Sequence, residues 1–358
     1  MPFGKKIANR YKDNQWIGAY DIINEPNWNF TGTNKNGCDE KLNQPLRELQ
    51  VEITKAIREV DANHMIIIEG NCWGNNYDGI FPLWDSNMAL SFHKYWNNND
   101  VNSIQKMLDY RTTYNVPIWL GESGENSNVW FTEAISLMEK NNIGWAFWPM
   151  KKIDNIAGIT SVSITDDYKT LMQIAENYKM DNLTIKKDVL DSMFRQVVSD
   201  VSIPFTINNV PGEIKSVDYD MGKLNNAYFD TDYQNLWVSN GTETDWNSGN
   251  VYRNDGVDIV KINSDFVVSN IKAGEWIQYT LHSSDERKFN VSIKYKGKQN
   301  SEVYLTNSDG TILTEKATLP STPSKTISIG AIKLKKGNNT IRIVFEKGDF
   351  DFYSLIFR

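Results

Sequence analysis

Short runs rich in β-branched and aromatic residues recur along the first half of the chain: Trp16–Ile23, Met65–Glu69, Met88–Tyr95, Pro117–Gly121 and Ile143–Trp148. Their apolar positions are continuous rather than alternating, as in strands buried on both faces. Between them Pro45–Asp61 carries Leu46, Leu49, Ile53, Ile57 and Val60 at helical spacing, and Val101–Tyr114 and Trp130–Asn141 repeat that period. Pro2–Asp13 is expected as a helix ahead of the first strand, and helical spacing returns at Asp167–Tyr178 and Asp188–Val198. Strand and helix in alternation predict a parallel sheet, whose ligands bind at the carboxyl ends of the strands.

After residue 212 the texture changes. Short alternating strands broken by Gly, Asn and Asp follow: Glu275–Leu281, Lys288–Tyr295, Glu302–Thr306, Lys325–Leu334, Asn339–Phe345 and Phe352–Phe357. Turn signals such as Ser308-Asp309-Gly310 separate them, which predicts an all-β jelly-roll sandwich. Pro204 and Pro211 mark the boundary, so the expected organisation is an α/β domain over 1–204, a linker over 205–212 and a β-sandwich over 213–358.

The 358 residues are enough for two cored domains. A net charge of −7 argues against a nucleic-acid partner, since phosphate backbones demand clustered Lys and Arg. No apolar run reaches the roughly 20 residues of a membrane span. Cys38 and Cys72 allow one bridge at most and leave its formation open, and the three His have no metal-ligand spacing. No Gly-rich phosphate cradle occurs, so catalysis is expected to need no metal or cofactor. Nine of the twelve Trp precede residue 150, and flat rings with a polar tip suit sugar stacking as well as core packing.

The candidate chemistry sits at strand ends. Asn24-Glu25-Pro26 follows the first strand and Glu122 ends the run Val116–Gly121. Two carboxyl groups on different strand ends of one parallel sheet can converge on one bond, which is what glycoside hydrolysis requires. His93 and Tyr95 end the intervening strand, and alternation puts both on one face. Trp148 ends the last strand, and Trp28 and Trp73 lie just past strand ends where a cleft would be lined. Asp21 reads as a satisfied interior acid, Glu69 as a strand-end acid in a structural role with substrate contact as the lesser alternative, and His64 as a surface residue.

In this order the motifs resemble glycoside hydrolase family 5, a group of (β/α)8-barrel enzymes: Asn-Glu-Pro, then His-x-Tyr, then Glu, then Trp, at four separate strand ends. The resemblance implies Glu25 as general acid/base, Glu122 as nucleophile, Asn24 on the sugar 2-hydroxyl, His93 as a positioning group, Tyr95 as donor to Glu122, and Trp148 as a stacking floor. It implies a retaining, endo-acting β-glycanase on a plant or algal polysaccharide, of cellulase type on β-1,4-glucan, with mannan, xylan or β-1,3-glucan as alternatives. It also implies a monomeric, exported protein. The strand carrying Glu25 corresponds to the family's fourth, so about five of the eight barrel strands are expected here. That reading takes the chain as the C-terminal part of a catalytic domain, accounts for the lack of a leader in Met1–Lys12 by loss of the N-terminal part, and sets a non-catalytic glycan-binding protein as the competing class.

The second region resembles a family 6 carbohydrate-binding module in Val251–Ile259, Ala273–Thr280 and Phe350–Phe357. Ile214-Lys-Ser-Val stands where the family has Ile-Glu-Ala-Glu, which argues against structural calcium by that route. Tyr252 is the candidate sugar-stacking ring, with Trp237 and Trp246 as partners and Trp276 assigned to the core.

Overall fold

The computed structural model describes residues 2–162, 176–177, 179–231 and 246–358. The helix expected at Asp167–Tyr178 and the candidate Trp237 lie outside the described residues, apart from residues 176–177. Packing divides the chain into two compact units, one of Met1–Gly124 with Ser136–Trp148, the other of Glu125–Ile135 with Pro149–Arg358.

The first unit is built on five strands, β1 (Ala19–Asp21), β2 (Met65–Glu69), β3 (Met88–Lys94), β4 (Ile118–Ser123) and β5 (Gly144–Trp145). They lie in chain order, every neighbouring pair parallel. An order that never doubles back is that of a TIM-barrel wall, and five strands form part of one. Helix α1 (Pro2–Tyr11) precedes β1, α2 (Gln44–Arg58) follows it, a left-handed turn α3 (Asn71–Gly74) leaves β2, and α4 (Gln105–Tyr114) and α5 (Asn128–Lys140) follow β3 and β4. Ile66, Ile68, Leu90, Phe92, Ile118 and Leu120 from the strands are at most 5% exposed and form one core with Ile57, Leu108 and Met138.

Helix α2 departs from its apolar pattern. Its buried face is Leu46, Gln50, Thr54 and Ile57, while Leu49 is exposed. The two polar residues bury because they have partners: Gln50 Nε2 donates to the Glu69 carbonyl at 2.7 Å, and Trp84 Nε1 donates to Thr54 Oγ1 at 3.0 Å. Strand β1 is only three residues long, and Trp16, expected within it, is 87% exposed. Trp130 is fully buried rather than lining a cleft. His64 is not a surface residue: its side chain is 9% exposed, its Nδ1 lies 2.6 Å from Asp61 Oδ2, and its Nε2 lies 3.2 Å from the Asn14 carbonyl.

The second unit contains a small sheet of β6 (Lys151–Ile153), β7 (Thr160–Val162) and β8 (Thr184–Ile185), the helices α6 (Lys187–Met193) and α7 (Arg195–Val198), and a β-sandwich. The described residues between 149 and 204 therefore group with the sandwich, and within 205–212 the segment Asn208–Val210 is already a strand, β9. After β10 (Gly212–Lys215) and β11 (Tyr228–Phe229) come β12 (Ile259–Ile262), β13 (Asp265–Val268), β14 (Trp276–Ser283), β15 (Arg287–Gly297), β16 (Ser301–Asn307), β17 (Ala317–Leu319), β18 (Thr322–Leu334), β19 (Gly337–Lys347) and β20 (Phe350–Phe357). One sheet runs β12-β13-β20-β15-β18 with β10 on β20, the other β11-β14-β19-β16-β17 with β9 on β14. Alternation sends Tyr279, Leu281, Val291, Ile293, Ile341, Ile343 and Leu355 into the core between them. Trp276 belongs to the opposite face of β14, half-exposed, with the Arg342 guanidinium 3.9 Å from its ring centroid.

Candidate active site

The expected residues of the first unit meet at the carboxyl end of its sheet. β3 and β4 pair with His93 opposite Glu122, after a register shift between Phe92 and His93 that re-aims the imidazole. His93 Nδ1 lies 2.7 Å from Glu25 Oε1 and 3.5 Å from Glu122 Oε2, and the Tyr95 hydroxyl donates to Glu122 Oε2 at 2.8 Å. One ligating atom from each of Glu25, His93 and Glu122 lies within 4.8 Å of the others. The Glu25 and Glu122 side chains are 30% and 18% exposed, so both carboxylates reach solvent.

Beneath them lies a buried base. Glu69, at the end of β2, is 1% exposed, in keeping with a structural role. Its Oε2 accepts the Glu25 main-chain N–H at 2.6 Å, and its Oε1 lies 3.1 Å from His93 Nε2. Glu25 holds a left-handed φ of 48°, a conformation unfavourable for a side-chain-bearing residue. The bond from Glu69 fixes that conformation. Burial opposes a charged imidazole, yet the hydrogen bond and charge of Glu69, with Glu25 and Glu122 adding to them, raise the His93 pKa to about 9. Desolvation, then the charge and hydrogen bond of the neighbouring Glu69, raise the Asp21 pKa to about 8, although the residue is exposed rather than the interior acid expected from the sequence.

Glu25, His93 and Glu122 come close enough to surround a cation, a proximity that spacing along the chain could not reveal because each sits on a different strand end. An imidazole engaged by carboxylates through both nitrogens has no free lone pair for a metal. The cluster is therefore built as a hydrogen-bonded ion group.

The aromatic rings stand around this centre. Trp148 is 52% exposed, and its N–H donates to the Ser123 carbonyl at 2.8 Å, one residue after Glu122. Gly124 makes this possible: a Cβ there would stand 2.0 Å from the Trp148 carbonyl oxygen. Trp28 is 65% exposed and Trp73 38%. Trp28 N–H donates to Asn71 Oδ1 at 2.9 Å and Trp73 N–H to the Pro26 carbonyl at 3.0 Å, which ties both to the turn carrying Glu25. A disulfide joins Cys38 to Cys72, closing the pairing that the sequence left open. Glu40 organises the intervening loop by accepting from the main-chain N–H groups of Phe30, Thr31, Gly32 and Leu42, among others. Asn24 is exposed beside Glu25.

In the second unit the stretch carrying Tyr252 is enclosed on one side. Arg253, Asn254 and Asp255 are at most 2% exposed. Arg253 Nε and Nη2 pair with Asp255 Oδ2 at 2.9 and 2.5 Å, and its guanidinium lies 3.6 Å from the Tyr219 ring centroid. Asn128 Nδ2 donates to Asp188 Oδ2 and Asp255 Oδ1, and Asn254 Nδ2 donates to the Asn126 carbonyl. Trp246 Nε1 donates to Asn254 Oδ1 at 3.0 Å, and the Tyr252 hydroxyl donates to Asp218 at 2.7 Å. Asp351 accepts from the Ser269 hydroxyl at 2.7 Å and lies 3.3 Å from the Lys298 ammonium.

Residues 2–154 match the family model described as cellulase (glycosyl hydrolase family 5), and residues 249–356 that of carbohydrate binding module (family 35). No curated protein matches the chain as a relative. Among solved structures, Thermotoga maritima Cel5A, reported in complex with cellobiose, is 21% identical with a TM-score of 0.38 over 54% of this chain and 64% of its own. An endoglucanase is 18% identical with a TM-score of 0.40 over 55% of this chain and 64% of its own. The module CsCBM6-3 from Clostridium stercorarium, in complex with cellobiose, is 14% identical with a TM-score of 0.30 over 42% of this chain and 96% of its own. This chain thus spans just under two thirds of the length of those two catalytic proteins. Residues 2–154 are thus similar to glycosyl hydrolase family 5 cellulases and residues 249–356 to carbohydrate-binding modules.

Proposed function

We propose that the chain is a retaining glycoside hydrolase of polysaccharides, acting on β-1,4-glucan, with Glu122 as nucleophile and Glu25 as general acid/base. The observation that carries this reading is the close approach of the two partly exposed carboxylates, with oxygens within 4.8 Å across a shared His93. Inverting pairs stand about 6.5–9.5 Å apart to admit a water, whereas retaining pairs are about 5–5.5 Å apart. Glu122 attacks the anomeric carbon as Glu25 gives its proton to the leaving glycosidic oxygen, leaving a glycosyl ester on Glu122. The Glu25 carboxylate then takes a proton from water, the resulting hydroxide attacks the same carbon, and the Glu122 carboxylate departs.

Asn24 is assigned to the sugar 2-hydroxyl, Tyr95 to holding Glu122, and Trp148, Trp28 and Trp73 to stacking on sugar rings. A disulfide beside the site and a polymeric substrate both favour work outside the cytoplasm. Among the described residues no helix is long and apolar enough to cross a membrane. A 2-fluoro glycoside is the test: it should label Glu122 covalently, and labelling of the Glu122→Gln variant would overturn the assignment. Reducing ends released from carboxymethyl cellulose rather than mannan, xylan or laminarin would fix the substrate.

A further inference from the structure

Glu69 lies under the carboxylate pair, and both of its oxygens are engaged by the groups above it. Oε2 accepts the Glu25 main-chain N–H at 2.6 Å, and Oε1 stands 3.1 Å from His93 Nε2. The Asp21 carboxyl, on the neighbouring strand β1, is its hydrogen-bond neighbour. Gln50 holds the Glu69 main chain from below, and Gly74, with a φ of 87°, closes over the side chain: a Cβ there would stand 3.3 Å from Glu69 Oε2 and 3.7 Å from His93 Cδ2. At 1% exposure Glu69 cannot touch substrate, so whatever it does passes through Glu25 and His93.

Its charge is the informative property. The amide oxygen of a glutamine would accept the Glu25 N–H as well, and a buried carboxylate is costly unless a cation answers it. Here the cation is the His93 imidazolium, faced by Glu69, Glu25 and Glu122 together. With its pKa raised to about 9, the ring keeps both nitrogens protonated at neutral pH, and an imidazolium only donates. Its Nδ1–H, 2.7 Å from Glu25 Oε1, occupies that oxygen, which leaves Oε2 to carry a proton that Glu25 transfers. A neutral ring could accept through Nδ1 instead, drawing the Glu25 proton onto Oε1 and away from a leaving group.

We infer that Glu69 is the positioning residue of the acid/base: through the imidazolium and through the left-handed turn of Glu25, it holds the transferable proton on Glu25 Oε2. The inference rests on the proposed role of Glu25 and adds to it a residue that never meets the sugar. Cleavage to a poor leaving group needs that proton on the glycosidic oxygen, whereas an activated phenolate departs without it. Water needs Glu25 as base to release the glycosyl ester. Azide does not: it bonds to the anomeric carbon directly as the Glu122 carboxylate leaves.

The test compares the full chain with its Glu69→Gln variant, which keeps an oxygen for the Glu25 N–H and removes the charge. The variant's kcat/KM on cellotetraose should fall by about 10²-fold, while that on 2,4-dinitrophenyl β-cellobioside should change less than about threefold, since only the first needs acid assistance. Azide should raise the variant's kcat on the dinitrophenyl substrate and yield the β-glycosyl azide. Equal losses on the two substrates, or no response to azide, would overturn the inference and leave Glu69 a packing residue. Where the variant does not fold, as its melting curve will show, the wild type decides: nitrogen-15 NMR at neutral pH should find both His93 ring nitrogens protonated, and a neutral ring would overturn the inference. A wild-type chain inactive on both substrates would overturn the hydrolase reading itself, and the inference with it.

Discussion

Each unit buries a cluster of charged side chains, and the two clusters differ in one respect. Around Glu69, the carboxylate and the His93 ring are 1% and 2% exposed, yet the chain of contacts ends on Glu25 and Glu122, which reach solvent. Around Arg253, the guanidinium, Asp255, Asn128 and Asn254 are all closed off and satisfy one another. Buried charge does not by itself mark a site. An ion cluster whose outer members remain unsaturated can act on a ligand, whereas one that is closed fixes the geometry of the chain.

The sharpest way to break this contrast is to remove one outer member of the open cluster. Glu25→Gln should lower turnover by about 10²–10⁴-fold, as loss of a general acid does, with thermal unfolding barely changed. An equal loss of stability would make the open cluster structural as well. Arg253→Leu should do the reverse, destabilising the second unit by about 3–5 kcal/mol because Asp255 is left buried and unpaired. Urea unfolding measures this, and a cost below about 1 kcal/mol would remove the distinction.

Replacing Cys38 and Cys72 by Ser opens a 34-residue separation and should cost about 3–4 kcal/mol on loop-closure grounds. The accompanying rise in KM should exceed any fall in kcat, because the bridge holds Trp28 and Trp73 rather than the carboxylates. The smallest effect concerns protons. The ring of His93 should titrate near 9 by NMR, and Glu69→Gln should bring that value down. The stability its ion pairs contribute is complete below the usual 6.5, where folded and unfolded chains both carry imidazolium. It disappears as pH rises through 9.

The elements of both units were legible in the sequence wherever burial follows periodicity. β2, β3 and the sandwich strands β14 to β16, β19 and β20 match their apolar runs to within a few residues. The pattern failed where hydrogen bonding outweighs polarity, as in α2, whose buried face includes Gln50 and Thr54. It failed again at Trp16 and Trp276, large rings that lie outside the cores. Glu25, His93, Tyr95 and Glu122 could be singled out by residue type and order, and the structure brings them within hydrogen-bonding reach of one another. The task of Glu69 could not, since a glutamate at a strand end reads alike whether it faces a cleft or grips the main chain of Glu25.

The position of β20 has a consequence for how the molecule is made. This last strand lies in the middle of its sheet, bonded to β10, β13 and β15. Asn128 and Asp255, whose side chains also meet in this unit, are 127 residues apart. During synthesis the sandwich cannot close until its final residues have left the ribosome, so its earlier strands wait as unpaired edges. Contacts this distant along the chain make folding slow. The waiting chain should therefore be the species most exposed to aggregation and most in need of a chaperone.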